Sequence, residues 1–178
     1  MQKVVITGMG VVAPNGIGVK EFWTSLVNGV SKVRKIKSFD TSGYSTQIAA
    51  EVDNFDPAKY MDFKKARRMP RFAQFAVAAA KMAKEDAKLH IDENNSKDIG
   101  AIIGVSVNGI KSIEEQDMIL KEKGPSGVSP FFANFALPNS AVGNICIELN
   151  IKGRSSTIST GCSASSNAIG YAFECIKY

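Results

Sequence analysis

A β-prone run near the end of the chain passes directly into an apolar helical pattern, and this junction constrains the fold more than any other feature. Residues 156–178 read STISTGCSASSNAIGYAFECIKY, with only small residues between the two parts. A strand that becomes a helix within a few residues is typical of α/β folds. Cys162 lies in the junction, between Gly161 and Ser163. We therefore expect a thiol where a strand ends and a helix begins.

Two earlier runs also favour strands of a mostly parallel sheet. KVVIT at residues 3–7 and IGAIIGV at residues 99–105 are short and rich in β-branched residues, as buried parallel strands are. The third strand is expected at residues 155–160. Helical patterns separate these runs, so the sequence predicts a layered α/β fold with helices flanking the sheet.

The clearest helical pattern begins at Pro70, a residue type favoured in the first turn. Helical spacing gives it one apolar face, composed of Phe72, Phe75, Ala76, Ala79, Ala80, Ala83 and Ala87. A second pattern follows Ser140, a residue type favoured at N-caps, and its inner side comprises Ala141, Val142, Ile145, Cys146 and Leu149. The last pattern groups Ala164, Ala168, Ile169, Ala172, Phe173 and Ile176. Residues 123–140, marked by Gly and Pro, are expected to form a long loop.

Length and composition fit one domain, or part of one. The chain has 178 residues, of which 44% are hydrophobic and 22% charged. We expect residues 1–178 to be one domain that is incomplete at its C-terminus, because the last helical pattern reaches Tyr178 without a stop signal. No run approaches the roughly 18 to 20 apolar residues that a bilayer requires, and no signal-peptide core follows Lys3. A cytoplasmic location is expected.

The cysteines indicate neither a disulfide framework nor a metal site. Cys146, Cys162 and Cys175 are an odd number, and their spacing does not match known metal-ligand patterns. They are expected to be free thiols in a reducing compartment. Cys146 and Cys175 fit apolar helix faces and are predicted to be small core residues.

Two other candidate sites are weak. Gly8, Gly10 and Ala13 match the spacing of a dinucleotide-binding loop, but Pro14 falls where its helix should run, and no acidic residue follows about 20 positions on. A tight turn is the better interpretation. The single histidine, His90, stands near the end of a helical pattern and is predicted to be solvated.

Cys162 has a stronger chemical case. A thiol in the first turn of a helix faces unpaired backbone N–H groups, which favour its thiolate form. The same N–H groups can form half of an oxyanion hole for acyl transfer. Small neighbours leave room for a substrate to approach. The residues alone leave two alternatives open, a nucleophile and a buried structural cysteine.

The formal charge of +5 is concentrated in KKARRMPR, which contains Lys64, Lys65, Arg67, Arg68 and Arg71. Such a run is a solvated helix start, a surface for an acidic protein, or a nucleic-acid surface. Nucleic acid is disfavoured because the overall charge is small and no aromatic residues alternate with the basic ones.

Several segments, in this order and spacing, resemble one family across essentially the whole chain. They are VVITGMGVVAPNG, FDTSGY, RRMPRFAQFAVAAA, IGVSVNGI, SPFFANFALPNSAVGNICIELNIKG and STGCSAS. The resemblance is to the β-ketoacyl-acyl carrier protein synthases, in particular the type II elongating enzymes of bacterial fatty acid synthesis. It implies a thiolase-like fold of two similar halves stacked in five layers, of which this chain would be the N-terminal half.

The resemblance also implies an activity. Cys162 would accept an acyl chain from the phosphopantetheine of acyl carrier protein, for decarboxylative condensation with malonyl-acyl carrier protein. No separate cofactor and no metal are implied. Two histidines and a lysine of the second half would serve the decarboxylation, so residues 1–178 alone are expected to be inactive in condensation.

Further roles are implied residue by residue. Val107 would lie at the end of the acyl pocket, and Phe132 would reach toward the partner's pocket across a homodimer interface formed by the 130–160 region. The strand at residues 156–160 would pair with its symmetry mate. Lys64, Arg67 and Arg68 would contact the acidic carrier protein. The sequence departs from the family at Gly161, where alanine is usual, at Arg154, where proline is common, and at Asn108, where glycine is common.

Two alternatives to an elongating synthase remain at this stage. One is a non-catalytic companion of a polyketide condensing enzyme, like the chain-length factors, although these typically lack the cysteine. The other is a thiolase that uses coenzyme A thioesters. The loop that carries Phe131 and Phe132 and the basic helix start favour the carrier-linked synthase.

Overall fold

A computed structural model describes residues 3–178. Within them lie six short strands: β1 (Val12–Ala13), β2 (Gly16–Ile17), β3 (Val33–Lys35), β4 (Ile48–Ala50), β5 (Ala101–Gly104) and β6 (Ser155–Ile158). The α-helices are α1 (Val19–Val27), α2 (Phe63–Ala66), α3 (Arg71–Asp86), α4 (Ile110–Lys123), α5 (Phe132–Ala136), α6 (Ser140–Leu149) and α7 (Ala164–Lys177). Short 3-10 turns occur at Pro57–Lys59, Pro125–Gly127 and Gly161–Ser163.

The strands form three separate pairs. β1 pairs with β2 and β3 with β4, both antiparallel. β5 and β6 are parallel, with Ala101 opposite Ser155 and Gly104 opposite Ile158. Because parallel neighbours need a crossover connection, the helices α4, α5 and α6 fall between β5 and β6 in the sequence. The predicted α/β class is confirmed, and two of the three predicted parallel strands are present in shortened form.

The strand predicted at residues 3–7 is wrong. These residues belong to no strand, and Val5 and Ile6 are 70% and 80% exposed. β-branched residues provide strand propensity, but a strand also requires a neighbour that supplies backbone hydrogen bonds. No strand among residues 3–178 pairs with this segment.

The core lies where α3 and α6 pack together beside β5. Its buried members are Met61, Ala66, Met69, Ala73, Val77, Ala101, Ala141, Val142 and Ile145. The predicted inner side of α6 is confirmed, and Cys146 and Leu149 also pack against this core. The N-cap, however, is Asn139, and Ser140 is already the first helical residue.

The predicted apolar face of α3 is only partly correct. Its fully buried residues are Ala73, Val77 and Ala78, which lie outside the predicted face, whereas Phe72, Ala76 and Ala80 are half-buried. Alanines on several sides allow close neighbours all round the helix. On one side, the backbone at Gly8 and Gly10 approaches so closely that a β-carbon at either residue would clash with α3.

The apolar pattern of α7 divides into two parts. Ala164 and Ala168 are buried against the sheet, while Ile169, Phe173 and Ile176 are exposed. Cys175 is exposed as well, so its predicted place in the core is wrong. The small residues alone allow the helix to lie close to β5.

The predicted loop at residues 123–140 contains two ordered elements, the 3-10 turn Pro125–Gly127 and the helix α5. Across residues 3–178, none of the helices combines the length and the apolar character needed to cross a bilayer.

Candidate functional site

Cys162 lies at the junction of a strand and a helix, as predicted. β6 ends at Ile158, a 3-10 turn spans Gly161–Ser163, and α7 begins at Ala164. The side chain of Cys162 is exposed, which leaves its thiol open to a substrate. The structure therefore does not support the alternative of a buried structural cysteine.

The residue before Cys162 has a backbone conformation that favours glycine. Gly161 has φ of 62°, in the left-handed region that residues with a β-carbon rarely adopt. The space around it is open, because a β-carbon there would have no heavy atom within 4 Å. Glycine is therefore favoured here by its backbone conformation and not by lack of room.

Side chains of the junction hold the turn in place. The Ser163 hydroxyl donates to the Thr160 carbonyl at 2.9 Å, and the Asn167 amide donates to the Thr160 hydroxyl at 2.8 Å. Asn167 belongs to the first turn of α7, so these bonds tie the helix to the end of the strand segment. Cys162 lies between the residues that they join.

The first turn of α7 is also fixed against the sheet. Gly104, the last residue of β5, lies against the backbone of Ala164 and Ser165, and a β-carbon at residue 104 would be 2.6 Å from the Ser165 nitrogen. Ala164 is buried at this contact. The position of the helix start thus depends on a glycine in the neighbouring strand.

Val107 lies in the loop after β5, and Cys162 lies in the turn after β6. The two strands are parallel and adjacent, so both residues leave the same edge of the sheet, where ligands of α/β proteins commonly bind. Val107 is 72% exposed. The next residue, Asn108, donates from its side-chain amide to the carbonyl of Ala136 at 3.1 Å. This bond attaches the loop after β5 to the end of α5.

Phe132 is the first residue of that same helix, α5, and is half-buried. The close approach of Gly109 to the Phe135 carbonyl, with φ of 66° at Gly109, reinforces the attachment. The structure therefore joins the segments that carry Val107 and Phe132, and places Cys162 after the adjacent strand.

The five basic residues of the KKARRMPR run separate into two groups. Lys65 pairs with Glu148 at 2.7 Å, and the Arg71 guanidinium lies over the Phe75 ring at 4.8 Å while donating to the Val52 carbonyl. The remaining residues, Lys64, Arg67 and Arg68, are exposed and form no ion pair within residues 3–178. These three are the positions that the family resemblance assigns to carrier contact.

One of these residues is linked to the candidate site. The guanidinium of Arg68 lies over the ring of Phe131, 4.9 Å from its centroid. Phe131 precedes α5 and its Phe132. A cation–π contact therefore connects the basic segment with the helix that is attached to the Val107 loop.

Glu148 on α6 is a charged group that the sequence analysis missed. Its side chain is only 5% exposed and accepts hydrogen bonds from Lys65 and from Lys81, at 2.7 and 2.8 Å. Burial alone would raise the pKa of Glu148, but the hydrogen bonds and charges of the two lysines outweigh it and lower the pKa below 4.5. A lone carboxylate in the otherwise apolar α6 pattern was the available signal, because such a charge needs partners.

The other candidates remain apart from this site. His90 is exposed, with its ring 3.9 Å from the Asp92 carboxylate. Gly8 and Gly10 lead into the β1–β2 hairpin and not into a helix, so they do not form a dinucleotide-binding loop. Among the residues that the structure describes, no three His, Cys, Asp or Glu side chains are grouped in a way that could hold a metal ion.

Comparisons with known sequences place the chain in one family. The family model described as the β-ketoacyl synthase N-terminal domain matches residues 1–178. The 3-oxoacyl-acyl-carrier-protein synthase 2 of Staphylococcus aureus (strain COL) is 41% identical over 176 residues, which are 99% of this chain and 42% of that protein. The synthase 2 of Synechocystis sp. (strain ATCC 27184 / PCC 6803 / Kazusa) is 40% identical, again over 99% of this chain and 42% of that protein. The chain thus spans less than half the length of these relatives, and they do not favour a non-catalytic companion.

Solved structures are similar too. A β-ketoacyl synthase from Burkholderia phymatum STM815 superposes with a TM-score of 0.85 at 31% identity, over 99% of this chain and 44% of that one. A type II polyketide ketosynthase, solved with its acyl-carrier protein, has a TM-score of 0.82 at 25% identity, over 97% of this chain and 46% of that one. The predicted thiolase-like fold is confirmed. The chain belongs to the β-ketoacyl synthase family and corresponds to its N-terminal domain.

Proposed function

We propose that this chain is the N-terminal, acyl-accepting part of a β-ketoacyl-acyl carrier protein synthase of fatty acid elongation, with Cys162 as its nucleophile. One observation carries the proposal: Cys162 is exposed in the turn that begins α7, and this turn is held by Asn167 and by the Gly104 contact. Both are features that an acyl-transfer nucleophile needs, namely access and a fixed position.

The proposed first step is acyl transfer. Cys162 gives up its proton to solvent, and the thiolate sulfur attacks the thioester carbonyl of an acyl group carried on phosphopantetheine. A new carbon–sulfur bond forms, the old one breaks, and the departing pantetheine thiolate takes up a proton. Backbone N–H groups at the helix start stabilise the oxyanion of the tetrahedral intermediate. No further cofactor is required for this step.

The second step is condensation. A malonyl thioester on a carrier protein loses carbon dioxide, and the resulting carbanion attacks the acyl carbon and releases the Cys162 thiolate. The family resemblance assigns this decarboxylation to two histidines and a lysine. The chain has one histidine, the exposed His90, so we expect residues 1–178, acting as a single N-terminal domain, to accept an acyl group without condensing it.

Val107 and Phe132 are proposed to line the acyl pocket. Support comes from the placement of Val107 at the edge of the sheet from which Cys162 also emerges, and from the Asn108 bond that joins the Val107 loop to α5, the helix of Phe132. Phe132 is further proposed to face the partner in a homodimer formed through the 130–160 region. β6 pairs only with β5 among the described strands, so its other edge is available for a second copy.

Lys64, Arg67 and Arg68 are proposed to dock the acidic carrier protein. They are exposed and not ion-paired within residues 3–178, so their charges remain available for a partner. A similar ketosynthase has been solved in complex with an acyl-carrier protein, which supports a partner of this kind. Such a contact is electrostatic and fast to form and break.

Mass spectrometry of the native gene product tests the proposal. After incubation with an acyl-carrier thioester, we expect one acyl adduct on the peptide that contains Cys162, and its loss in Cys162→Ala. Cys175→Ala is the matched control, because that thiol is also exposed and should not be required. A native protein that gains no adduct contradicts the proposal, and binding of the carrier without acylation would indicate a non-catalytic companion.

A further inference from the structure

Glu148 joins three helices through one buried carboxylate. It stands on α6, and its oxygens accept hydrogen bonds from Lys65 of α2 and Lys81 of α3. Lys81 also donates to the Tyr60 carbonyl, just before α2. The carboxylate is almost fully buried, whereas the ion pairs of α4, such as Asp117 with Lys121, are exposed on both sides. The Lys65 side chain is 53% exposed, but its acceptor is a buried carboxylate that is also held by Lys81, and this gives the pair a more defined geometry than an ion pair exposed on both sides.

The helix α2, which Glu148 contacts through Lys65, is too short to be stable by itself. α2 consists of the four residues Phe63–Ala66, about one turn, and an isolated turn is unstable in water. The Asp62 side chain caps its N-terminus by accepting from the backbone N–H groups of Lys64 and Lys65. This cap stabilises the turn but does not fix its direction relative to the rest of the molecule.

Contacts on the inner side of α2 provide that direction. Ala66 and Met69 are buried in the core, and the Gln74 amide donates to the carbonyls of both residues. Lys65 then fixes the rotation of the turn by its bond to Glu148. With the inner side fixed, Lys64 and Arg67 remain exposed on the outer side.

Arg68 depends on the same anchor. It lies three residues after Lys65, and its guanidinium is over the Phe131 ring at the start of the α5 segment. A rotation of α2 would therefore move all three exposed basic side chains relative to the edge of the sheet where Cys162 lies.

We propose that Glu148 is a positioning residue for carrier-protein docking: through Lys65 it orients α2 so that Lys64, Arg67 and Arg68 face an acidic carrier. This inference rests on the proposed function, because it assumes that these three residues meet the carrier. Glu148 itself is buried and does not touch the carrier.

The sign of the effect separates this role from simple electrostatics. Glu148→Gln raises the net charge by one, and added positive charge alone would tighten the binding of an acidic partner. Loss of positioning would weaken it. In the native gene product, we expect Glu148→Gln to raise the acyl-carrier concentration for half-maximal Cys162 acylation by about tenfold, or about 1.4 kcal/mol.

The maximal rate, and the rate with a small acyl-pantetheine thioester that lacks the carrier protein, should stay unchanged. Asp117→Asn is the matched control, because it makes the same chemical change in an exposed ion pair of α4. It adds the same charge, so it should leave both rates unchanged and should not weaken carrier use.

Lys65→Met supplies the second variant. It breaks the bond between Lys65 and Glu148 but leaves Glu148 paired with Lys81. Because no buried charge is left uncompensated, this variant should fold even if Glu148→Gln does not. The double variant tests whether the effect of Glu148 on docking passes through Lys65. If Glu148 acts through Lys65, Glu148→Gln should add no further change in the Lys65→Met background.

Each result has a clear meaning. Carrier-dependent weakening that is absent with the small thioester and not additive with Lys65→Met supports the inference. Unchanged or tighter carrier use, an equal loss with both substrates, or additive effects overturn it while Cys162 acylation still stands. Failure of the unsubstituted protein to be acylated by either substrate would instead remove the proposed function on which the inference rests.

Discussion

Gly104 at the end of β5 lies directly against the backbone of Ala164, the first residue of α7. The contact involves the backbone on both sides, so neither residue can relieve it by a change of rotamer. Cys162 is only two residues before Ala164, and its position therefore depends on how closely the strand and the helix approach.

Gly104→Ala should displace the start of α7. The added methyl group overlaps the backbone of Ala164 and Ser165, and overpacking of this kind costs roughly 1–3 kcal/mol. We expect a lower free energy of unfolding in urea and slower acylation of Cys162. Gly170→Ala is the control: it adds the same group to α7 in open space and should stabilise the helix by up to about 1 kcal/mol. Equal effects of the two substitutions would contradict this account.

Gly161→Ala should destabilise the turn for a different reason. There is room for the methyl group, but a φ of 62° is unfavourable for alanine by about 1–2 kcal/mol. Gly161→Asn should cost less, because asparagine adopts this region more readily. Urea unfolding of the two variants measures the difference. If Gly161→Ala and Gly161→Asn lowered the free energy of unfolding equally, φ at residue 161 would not explain the loss of stability.

The position of Cys162 could be predicted because its signals are local. Small residues, a change of hydrophobic period and the Gly161 turn all lie within one short stretch. The predicted inner side of α6 was correct for the same reason. The basic run was visible in the charge pattern, but only the family resemblance singled out Lys64, Arg67 and Arg68 within it.

What the sequence could not provide were contacts between distant segments. Lys65 and Glu148 are 83 residues apart, and the sequence around each residue does not indicate that the other is its partner. The strand predicted at residues 3–7 failed because strand formation depends on a neighbour and not on β-branched residues alone. Cys175 is exposed because only the alanine part of the apolar pattern of α7 packs against the sheet.

Replacing Lys64, Arg67 and Arg68 together by alanine should weaken carrier docking. Three charges available to an acidic partner are lost, so we expect slower carrier-dependent acylation and a flatter dependence on salt concentration. Alanine at the exposed lysines Lys20, Lys88 and Lys97 changes the net charge equally and serves as the control. Stopped-flow rates over a salt series give the measurement. Similar slopes for both triple variants would show that total charge, not this segment, determines docking.

Asn108→Ala should loosen the loop that carries Val107. The substitution removes the bond to the Ala136 carbonyl, which contributes about 0.5–1.5 kcal/mol. With the loop less tightly attached to α5, we expect long acyl chains to be transferred to Cys162 faster relative to short ones. Asn144→Ala breaks a bond of the same type within α6 and should leave that ratio unchanged. An unaltered chain-length ratio in Asn108→Ala would contradict a role for this bond in the acyl pocket.

The ion pairs of Glu148 should make stability depend on pH in a defined direction. The pKa of Glu148 is lowered below 4.5 because the hydrogen bonds and charges of Lys65 and Lys81 outweigh the effect of burial. The folded state therefore binds this proton more weakly than the unfolded state, so the stabilisation is complete above pH 4.5 and is lost as the pH falls through the folded pKa. At pH 7 we expect Glu148→Gln to unfold with a free energy about 1–3 kcal/mol lower than the unsubstituted protein. The difference should shrink as the pH falls below 4.5, because a protonated Glu148 resembles glutamine.

Urea unfolding of both proteins at a series of pH values measures this difference. Asp40 and Glu51 also have lowered pKa values, through hydrogen bonds from Ser42 and from Ser38 and Lys37, and both make stability fall in acid. They are present in both proteins, so their contribution cancels in the difference. A difference that stayed constant from neutral to acid pH would mean that Glu148 stabilises the fold by its shape alone, since an ionised carboxylate held between two lysines must lose its advantage when it is protonated.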